Sequence, residues 1–125
     1  KSIKSGLNIH IAEDDDVSYN LLNEILKSKN HIITRSVNGF DTIKHIKNNP
    51  NTDLLLLDLK MPIMDGLEAT KQIRKFNQIL PIVAQTAYAL SGDREKVIKA
   101  GCNDYFSKPI DANRLNEIIS NISNK

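Results

Sequence analysis

The sequence has one cysteine, no long apolar run and no marked excess of either charge. A single cysteine, Cys102, excludes an internal disulfide framework and suits a reducing compartment. It has no histidine at metal-binding spacing, so a metal site at Cys102 is not expected. No apolar stretch approaches the roughly 18 residues that span a bilayer, and residues 1–8 lack the apolar core of a signal peptide. Because the P-loop and GxGxxG motifs are also missing, neither membrane contact nor nucleotide binding is expected of this domain.

The charges are balanced and spread along the chain. Lys and Arg number 17 against 15 Asp and Glu, for a net charge of +2, and the lysines do not gather on one segment. We therefore expect no nucleic-acid interface. At 125 residues the chain has the size of one domain. Residues 8–125 are expected to form that domain, and residues 1–7 a linker or the remnant of an appended tail.

Short apolar runs alternate five times with helical patterns. The predicted strands span 9–12, 31–37, 54–57, 81–85 and 104–107. This alternation predicts the α/β class, with a doubly wound, five-stranded parallel sheet and helices on both faces, as in flavodoxin-like (βα)5 folds. The strand order is left open.

The helical patterns have apolar positions at three- and four-residue spacing. Asp16 or Ser18 is the predicted cap of the first helix, Gly101 closes the fourth over 93–100, and Asp111 begins the last. The three histidines share no spacing and no carboxylate partner, so we expect them at the surface or at strand edges. The predicted apolar stripes are Val17, Leu21, Leu22, Ile25 and Leu26; Phe40, Ile43 and Ile46; Leu67, Thr70 and Ile73; and Leu115, Ile118, Ile119 and Ile122.

Acidic residues follow two of the predicted strands. The four leucines at 54–57 run into Asp58, and the strand at 9–12 runs into Glu13 and Asp14. Carboxyl ends of parallel strands open onto one crevice, where such side chains repel each other unless a cation lies between them. Carboxylate oxygens are the ligands that Mg²⁺ prefers. The sequence therefore predicts a divalent-metal pocket around Asp58.

Thr86 and Lys108 stand at the ends of the fourth and fifth predicted strands. A carboxylate such as Asp58 can attack phosphorus and form an acyl phosphate. A lysine ammonium, a metal ion and a hydroxyl would stabilise charge on the transferring phosphoryl oxygens. If the four strand ends converge, the chemistry is phosphoryl transfer.

Three other interpretations were weighed. A calcium loop starting at Asp14 fails, because Tyr19 stands where that loop needs Gly and Ile25 where it needs Glu. A Mg²⁺-dependent phosphohydrolase would use Asp58 as nucleophile, but such enzymes usually have a second Asp two residues on, and here that residue is Lys60. A binding module of the same fold that never reacts stays open as well.

Four motifs carry a resemblance to a known family. They are IAEDD at 11–15, LDLKMPIMDG at 57–66, QTAYA at 85–89 and DYFSKP at 104–109. In this order, each at a predicted strand end, they resemble the receiver domain of response regulators in two-component signalling, over residues 8–122. The sequences of the second and third motifs are similar to those of receivers fused to hybrid sensor histidine kinases.

The resemblance implies a role for each strand end. Asp58 would be the phosphorylation site, Asp14 a direct Mg²⁺ ligand, Glu13 a ligand acting mainly through water, and the backbone carbonyl of Lys60 a further ligand. Thr86 and Lys108 would bind the phosphoryl group.

The resemblance also implies a switch. Tyr105 would turn inward when Thr86 moves toward the phosphoryl group, and the Lys108–Pro109 bond would be cis. Lys60 and Tyr88 occupy positions that tune dephosphorylation in relatives. Asp15 adds charge near the metal and is expected to point to solvent.

By the same resemblance the domain is regulatory and assists its own phosphorylation and dephosphorylation. Its partner would be a histidine kinase or a phosphotransfer domain carrying phosphohistidine. We expect a monomer or a weak, phosphorylation-dependent dimer. We also expect a cytoplasmic location, including that of the cytoplasmic part of a membrane-anchored kinase. The output surface would be formed by the fourth helix, the fifth strand and the last helix.

Overall fold

A computed structural model of the chain describes residues 6–27, 29–87 and 93–123. Strands and helices alternate along these residues, and every neighbouring strand pair is parallel. The sheet order is β2-β1-β3-β4-β5. This confirms the doubly wound α/β fold. The elements are β1 Asn8–Ala12, α1 Asp16–Lys27, β2 Ile32–Ser36, α2 Gly39–Asn48, β3 Leu54–Asp58, α3 Gly66–Arg74, β4 Ile82–Thr86, α4 Asp93–Ala100, β5 Asp104–Ser107 and α5 Ala112–Ser123.

Strand β3 lies at the centre of the sheet, and helices cover both its faces. Leu54 and Leu56 pack with α1 and α5. Leu55 and Leu57 pack with α2, α3 and α4. All four leucines are fully buried. A strand covered on both faces reads as a continuous apolar run, which explains the leucine run.

Four predicted strands differ from the structure by one residue at one or both ends. β1 also includes Asn8, and β3 also includes Asp58. β2 is an edge strand, and it omits His31 and Val37 at its ends. β4 begins at Ile82 and ends at Thr86, one residue later than predicted. Pro81 has no N–H to donate to a neighbouring strand, although its carbonyl accepts the Leu55 N–H at 3.0 Å.

Two predicted apolar stripes are wider than the faces that the helices bury. In α1, Leu22 and Leu26 lie in the core, whereas Val17 is 78% and Leu21 39% exposed. In α2, Phe40 is 53% exposed. Val17 and Phe40 stand in first turns, directly after the loops at the carboxyl edge of the sheet. These residues therefore belong to the surface around that edge.

The helix caps correct one prediction. The cap of α1 is Asp15, because its Oδ2 accepts the Ser18 N–H at 2.8 Å, while Asp16 is already helical. Asp111 caps α5 by accepting the Arg114 N–H at 2.8 Å. Gly101 follows α4 with a φ of +120°, a conformation that favours glycine.

His10 is buried, which contradicts the expected surface or edge placement. It is 0% exposed in β1. Its Nδ1 lies 2.7 Å from Thr34 Oγ1, and its Nε2 lies 2.9 Å from Ser36 Oγ. Its ring stacks on His45 with centroids 3.9 Å apart. Burial, and then the neighbouring His45, lowers the pKa of His10 to about 3. Sequence analysis missed it because its partners lie on β2 and α2.

Leu7 joins the core although it precedes the predicted domain start. It is 2% exposed, and its N–H donates to His31 Nδ1 at 3.1 Å. The interpretation of residues 1–7 as a linker stays a prediction, since residues 1–5 lie outside the described part. Among the described residues, no helix has the length and apolarity needed to cross a bilayer.

Candidate functional site

Three carboxylates meet at the carboxyl edge of the sheet. β1 and β3 are neighbours, with Ala12 opposite Leu57, so the residues that follow β1 face the end of β3. One oxygen each from Glu13, Asp14 and Asp58 lies within 4.8 Å of the other two. Glu13 is 0% and Asp58 5% exposed, whereas Asp14 is exposed. The structure thus brings together the three acidic residues that sequence analysis singled out.

Lys108 bridges the two buried carboxylates. Its Nζ lies 2.8 Å from Glu13 Oε1 and 3.1 Å from Asp58 Oδ2. Burial lowers the pKa of Lys108, but the bonds to Glu13 and Asp58 outweigh it and the net pKa is raised. The ammonium therefore stays charged. Against three carboxylates it leaves an excess of negative charge, which favours a further cation.

Burial perturbs the carboxyl group of Glu13. Burial raises its pKa to about 7, assisted by Asp58 and opposed by the bond from Lys108. A carboxylate taken out of water favours its neutral form unless positive charge or donors hold it ionised. Glu13 therefore depends on its neighbours for its charge near neutral pH.

Gln85 is a contact that sequence analysis missed. It is 2% exposed in β4, and its Nε2 donates to Glu13 Oε1 at 2.9 Å. The N–H of Asp15 donates to Glu13 Oε2 at 3.1 Å. The available signal was an amide side chain within an otherwise apolar strand, since a buried amide requires a partner.

The segment after Asp58 is held close to it. The Lys60 N–H donates to Asp58 Oδ1 at 3.2 Å. At the start of α3, a Cβ on Gly66 would lie 2.4 Å from the Asp58 carbonyl oxygen, so only glycine permits this approach. The Gly66 N–H donates to the Leu59 carbonyl at 2.9 Å. These contacts keep residue 60 beside the acidic cluster.

Thr86 and Tyr105 lie on the neighbouring strands. Thr86 ends β4, one residue beyond Gln85, which is opposite Asp58 in the sheet. Its carbonyl accepts the Lys108 N–H at 2.8 Å. Tyr105 lies in β5, half-buried, against the core on the α2–α4 face.

Two further predictions from the resemblance concern single residues. The Lys108–Pro109 peptide bond is cis, as expected. Tyr88 lies outside the described residues.

The donor set of this cluster fits Mg²⁺. It offers three carboxylates, with the Lys60 backbone nearby, and hard oxygen ligands with room for water are what Mg²⁺ requires. Among the residues that the structure describes, no sulfur or imidazole ligand belongs to the cluster, which disfavours a softer metal.

The fold and this site define the class of protein. The sequence matches the response regulator receiver domain family over residues 9–120. The chain therefore belongs to the response regulator receiver domains, the modules of two-component signalling.

Two relatives show the contexts in which such sequences occur. The chain is 37% identical over 122 residues to hybrid signal transduction histidine kinase G of Dictyostelium discoideum, covering 91% of this chain but 3% of that kinase. It is 31% identical over 113 residues to the polar-differentiation response regulator DivK of Brucella anthropi, covering 89% of this chain and 91% of DivK.

Solved structures agree with the assignment. The receiver domain of the sensor histidine kinase PA1611 from Pseudomonas aeruginosa, with a magnesium ion in its active-site cleft, is 32% identical, with a TM-score of 0.88 over 97% of this chain and 100% of that one. The receiver domain of Saccharomyces cerevisiae Ssk1, crystallised with the histidine phosphotransfer protein Ypd1, belongs to a structure that matches with a TM-score of 0.90 and 28% identity, over 98% of this chain and 92% of that one.

Proposed function

We propose that Asp58 accepts a phosphoryl group from a phosphohistidine on a partner protein, with Mg²⁺ held by Asp14, Asp58, Glu13 and the Lys60 carbonyl. The observation that carries this proposal is the contact of Lys108 with both buried carboxylates, 2.8 Å from Glu13 and 3.1 Å from Asp58. An acceptor carboxylate with a movable cation beside it is the arrangement that phosphoryl transfer needs.

In the transfer, an oxygen of Asp58 forms a bond to phosphorus while the phosphorus–nitrogen bond of the donor breaks. The electron pair leaves with the imidazole nitrogen. Bound Mg²⁺ supplies charge neutralisation on the phosphoryl oxygens. Lys108 adds a second positive charge by turning from Glu13 toward the new phosphoryl group, and Thr86 donates its hydroxyl to the same oxygens. The product is an acyl phosphate on Asp58.

The switch follows from the same movement. Tyr105 lies on the adjoining strand opposite Ala84, two residues before Thr86, and Ser107 is the residue opposite Thr86. A groove of about 370 Å³ beside it is lined by Arg94, Pro109 and Arg114 among others. Phosphorylation would bias the shape of this face, made by α4, β5 and α5, and so change a binding surface.

This chain presents an apolar surface on which the phosphohistidine donor would dock. Val17 and Leu21 of α1 are exposed and line a groove of about 260 Å³ that also includes Lys108 and Pro109. Exposed apolar side chains beside a reactive residue mark a protein contact. We place the histidine kinase or phosphotransfer domain here, with its phosphohistidine toward Asp58.

Acetyl phosphate with Mg²⁺ tests the acceptor. We expect one phosphoryl group per chain in the parent and none at Asp58 in Asp58→Asn. Asp16→Asn, a change at an exposed carboxylate on the same edge that pairs with Arg35, is the matched control and should be labelled like the parent. Equal labelling of Asp58→Asn and the parent would show that the acceptor is another residue.

A turnover assay separates the regulatory module from a phosphohydrolase. We expect aryl phosphates to give no sustained release of phosphate, because the residue two positions after Asp58 is Lys60 and not the second aspartate that assists the leaving group in such enzymes. Release over many turnovers that Asp58→Asn abolishes would favour the enzyme.

The cellular setting completes the proposal. The chain spans 3% of kinase G and 91% of DivK, so we propose two settings, a receiver within a larger histidine kinase or a regulator of its own length. In either case we place the domain in the cytoplasm, as a monomer or a weak phosphorylation-dependent dimer, without nucleic-acid or membrane contact of its own.

A further inference from the structure

Gln85 is a buried polar residue in the central part of the sheet whose partner belongs to the acidic site. It is 2% exposed and stands opposite Asp58 in the pairing of β3 with β4. Its carbonyl accepts the Leu59 N–H at 3.1 Å, which fixes its backbone to the end of β3. From this position its amide reaches past β3 to Glu13, 2.9 Å away. The side chain thus joins the ends of β4 and β1 behind the acceptor.

Within the described part of the chain, the carboxylate of Glu13 has three donors. Oε1 accepts from Gln85 at 2.9 Å and lies 2.8 Å from Lys108 Nζ, and Oε2 accepts the Asp15 N–H at 3.1 Å. Two of these donors, the amide and the backbone N–H, are neutral and fixed by the fold. The third is a lysine side chain that also contacts Asp58 at 3.1 Å. During phosphoryl transfer only Lys108 would move away from Glu13, because its ammonium would turn toward the new phosphoryl group.

Loss of the Lys108 contact would leave the buried charge of Glu13 without its cationic partner, at a large cost in free energy. Glu13 is fully buried, and a buried carboxylate without donors is unstable as a charge. Without a fixed donor the carboxylate would turn toward other donors, and this change would remove it as a metal ligand. The amide of Gln85 remains at Oε1 whatever Lys108 does. It is uncharged, so it neither competes with a metal ion nor draws Glu13 away from one.

We propose that Gln85 is a positioning residue: its amide holds the Glu13 carboxylate directed at the metal site, and so allows Lys108 to exchange Glu13 for the phosphoryl group. The inference rests on the proposed function for the role of the metal and the phosphoryl group. A purely structural role would satisfy the same hydrogen bond but would not affect metal binding by the folded protein.

Calorimetric titration with Mg²⁺ distinguishes the two roles. Gln85→Leu removes the amide and keeps a side chain of similar volume. We expect its Kd for Mg²⁺ to be about tenfold higher than that of the parent, the usual effect of losing a hydrogen-bond partner of a metal ligand. The matched control is Gln72→Leu, because Gln72 donates to Glu68 at 2.7 Å on the exposed surface of α3. It should bind Mg²⁺ like the parent.

The same proteins with Mg²⁺ and beryllofluoride, a mimic of the phosphoryl group, give the second measurement. Gln85→Leu should require at least tenfold more beryllofluoride than the parent for half-saturation, and Gln72→Leu the same amount as the parent. Parent-like affinity of folded Gln85→Leu for both probes, within twofold, would overturn the proposal.

Two further outcomes distinguish the positioning role of Gln85 from a role in folding and from the proposed function. If Gln85→Leu does not fold, Gln85→Met replaces it, since its unbranched side chain follows that of glutamine. Failure of both to fold would show that the amide serves the fold and would overturn the inference. If the parent binds Mg²⁺ and depends on Gln85 but acetyl phosphate does not label Asp58, the proposed function fails while the positioning of Glu13 stands.

Discussion

Single side chains determine the charge balance of the acidic site at the carboxyl edge of the sheet. Lys108 alone, among the described residues, is within ion-pair distance of both Glu13 and Asp58. One ammonium cannot balance three carboxylates, so the unliganded site keeps an excess of negative charge. The proposed cation binding therefore depends on single side chains, and each of them can be tested by its own substitution.

The buried His10 makes the free energy of unfolding depend on pH. Its pKa is about 3 in the fold against an ordinary value of 6.5. Below pH 6.5 the unfolded chain takes up a proton that the folded chain refuses, so the free energy of unfolding falls as the pH drops from 6.5 toward 3. The slope from one such group is about 1 kcal/mol per pH unit. Above pH 6.5 both states are neutral at this residue and the contribution is constant.

Urea unfolding of the parent and His10→Gln between pH 7 and pH 4 measures this effect. We expect the parent's advantage in free energy of unfolding to shrink by about 1 kcal/mol per pH unit below pH 6.5. His31→Gln is the comparison, because burial also lowers the pKa of His31 but this histidine is less buried. It should give a shallower slope. Parallel curves for the parent and His10→Gln would show that His10 titrates normally.

Among the elements, the loop between β3 and α3 contains a strained turn that a backbone hydrogen bond from α2 supports. The Met64 N–H donates to the Pro62 carbonyl at 2.7 Å around Ile63, whose φ is +70°. This is a γ-turn of the rare, strained kind, with a β-branched residue in a region that favours glycine. The Gly39 N–H holds the turn by donating to the Met64 carbonyl at 3.0 Å. The turn of α2 thus supports the loop that carries residue 60.

Relief of this strain should stabilise the domain. Ile63 is 83% exposed, so Ile63→Gly loses little apolar burial. We expect its free energy of unfolding to rise by about 1 kcal/mol, since strain at such a residue costs on the order of 1–3 kcal/mol and exceeds the added entropy of an unfolded glycine. Ile79→Gly, at an 89% exposed isoleucine without positive φ, should lose about 1 kcal/mol. Equal losses in the two variants would show that residue 63 is unstrained.

For the molecule as a whole, the sequence was sufficient for the fold class and for the parallel direction of the strands, but not for the strand order. Leu54–Leu57 marked a strand buried on both faces, and the alternation of patterns predicted the parallel sheet. Strand limits shifted at the edge strand β2 and at Pro81, where pairing decides the limits and composition does not. Val17 and Phe40 misled the stripe analysis, because periodicity shows that a face is apolar but not that a neighbour covers it.

The site was predictable in its members but not in its contacts. Glu13, Asp14 and Asp58 stood at strand ends, and neighbouring strands brought them together. The partner of Gln85 was not visible, since the bond to Glu13 joins residues 72 positions apart. The burial of His10 was missed for the same reason, because its partners come from β2 and α2.

Metal binding should stabilise the whole domain. A ligand that binds only the folded state raises the free energy of unfolding, by about 3 kcal/mol at 100 times its Kd. We expect Mg²⁺ to raise the melting temperature of the parent but not of Asp14→Asn. Glu24→Gln, at an exposed carboxylate of α1 that pairs with Lys27, is the control and should respond like the parent. An equal rise in Asp14→Asn would place the stabilising ion elsewhere.

The contact of Lys108 with Asp58 spans 50 positions of the chain, and it depends on the last strand of the sheet. On the ribosome the Asp58 carboxylate is therefore made well before the Lys108 ammonium. A nascent chain that ends before β5 holds Asp58 without this ion-pair partner. Under the proposed function, such a chain would accept phosphoryl groups poorly until β5 and Lys108 have been made.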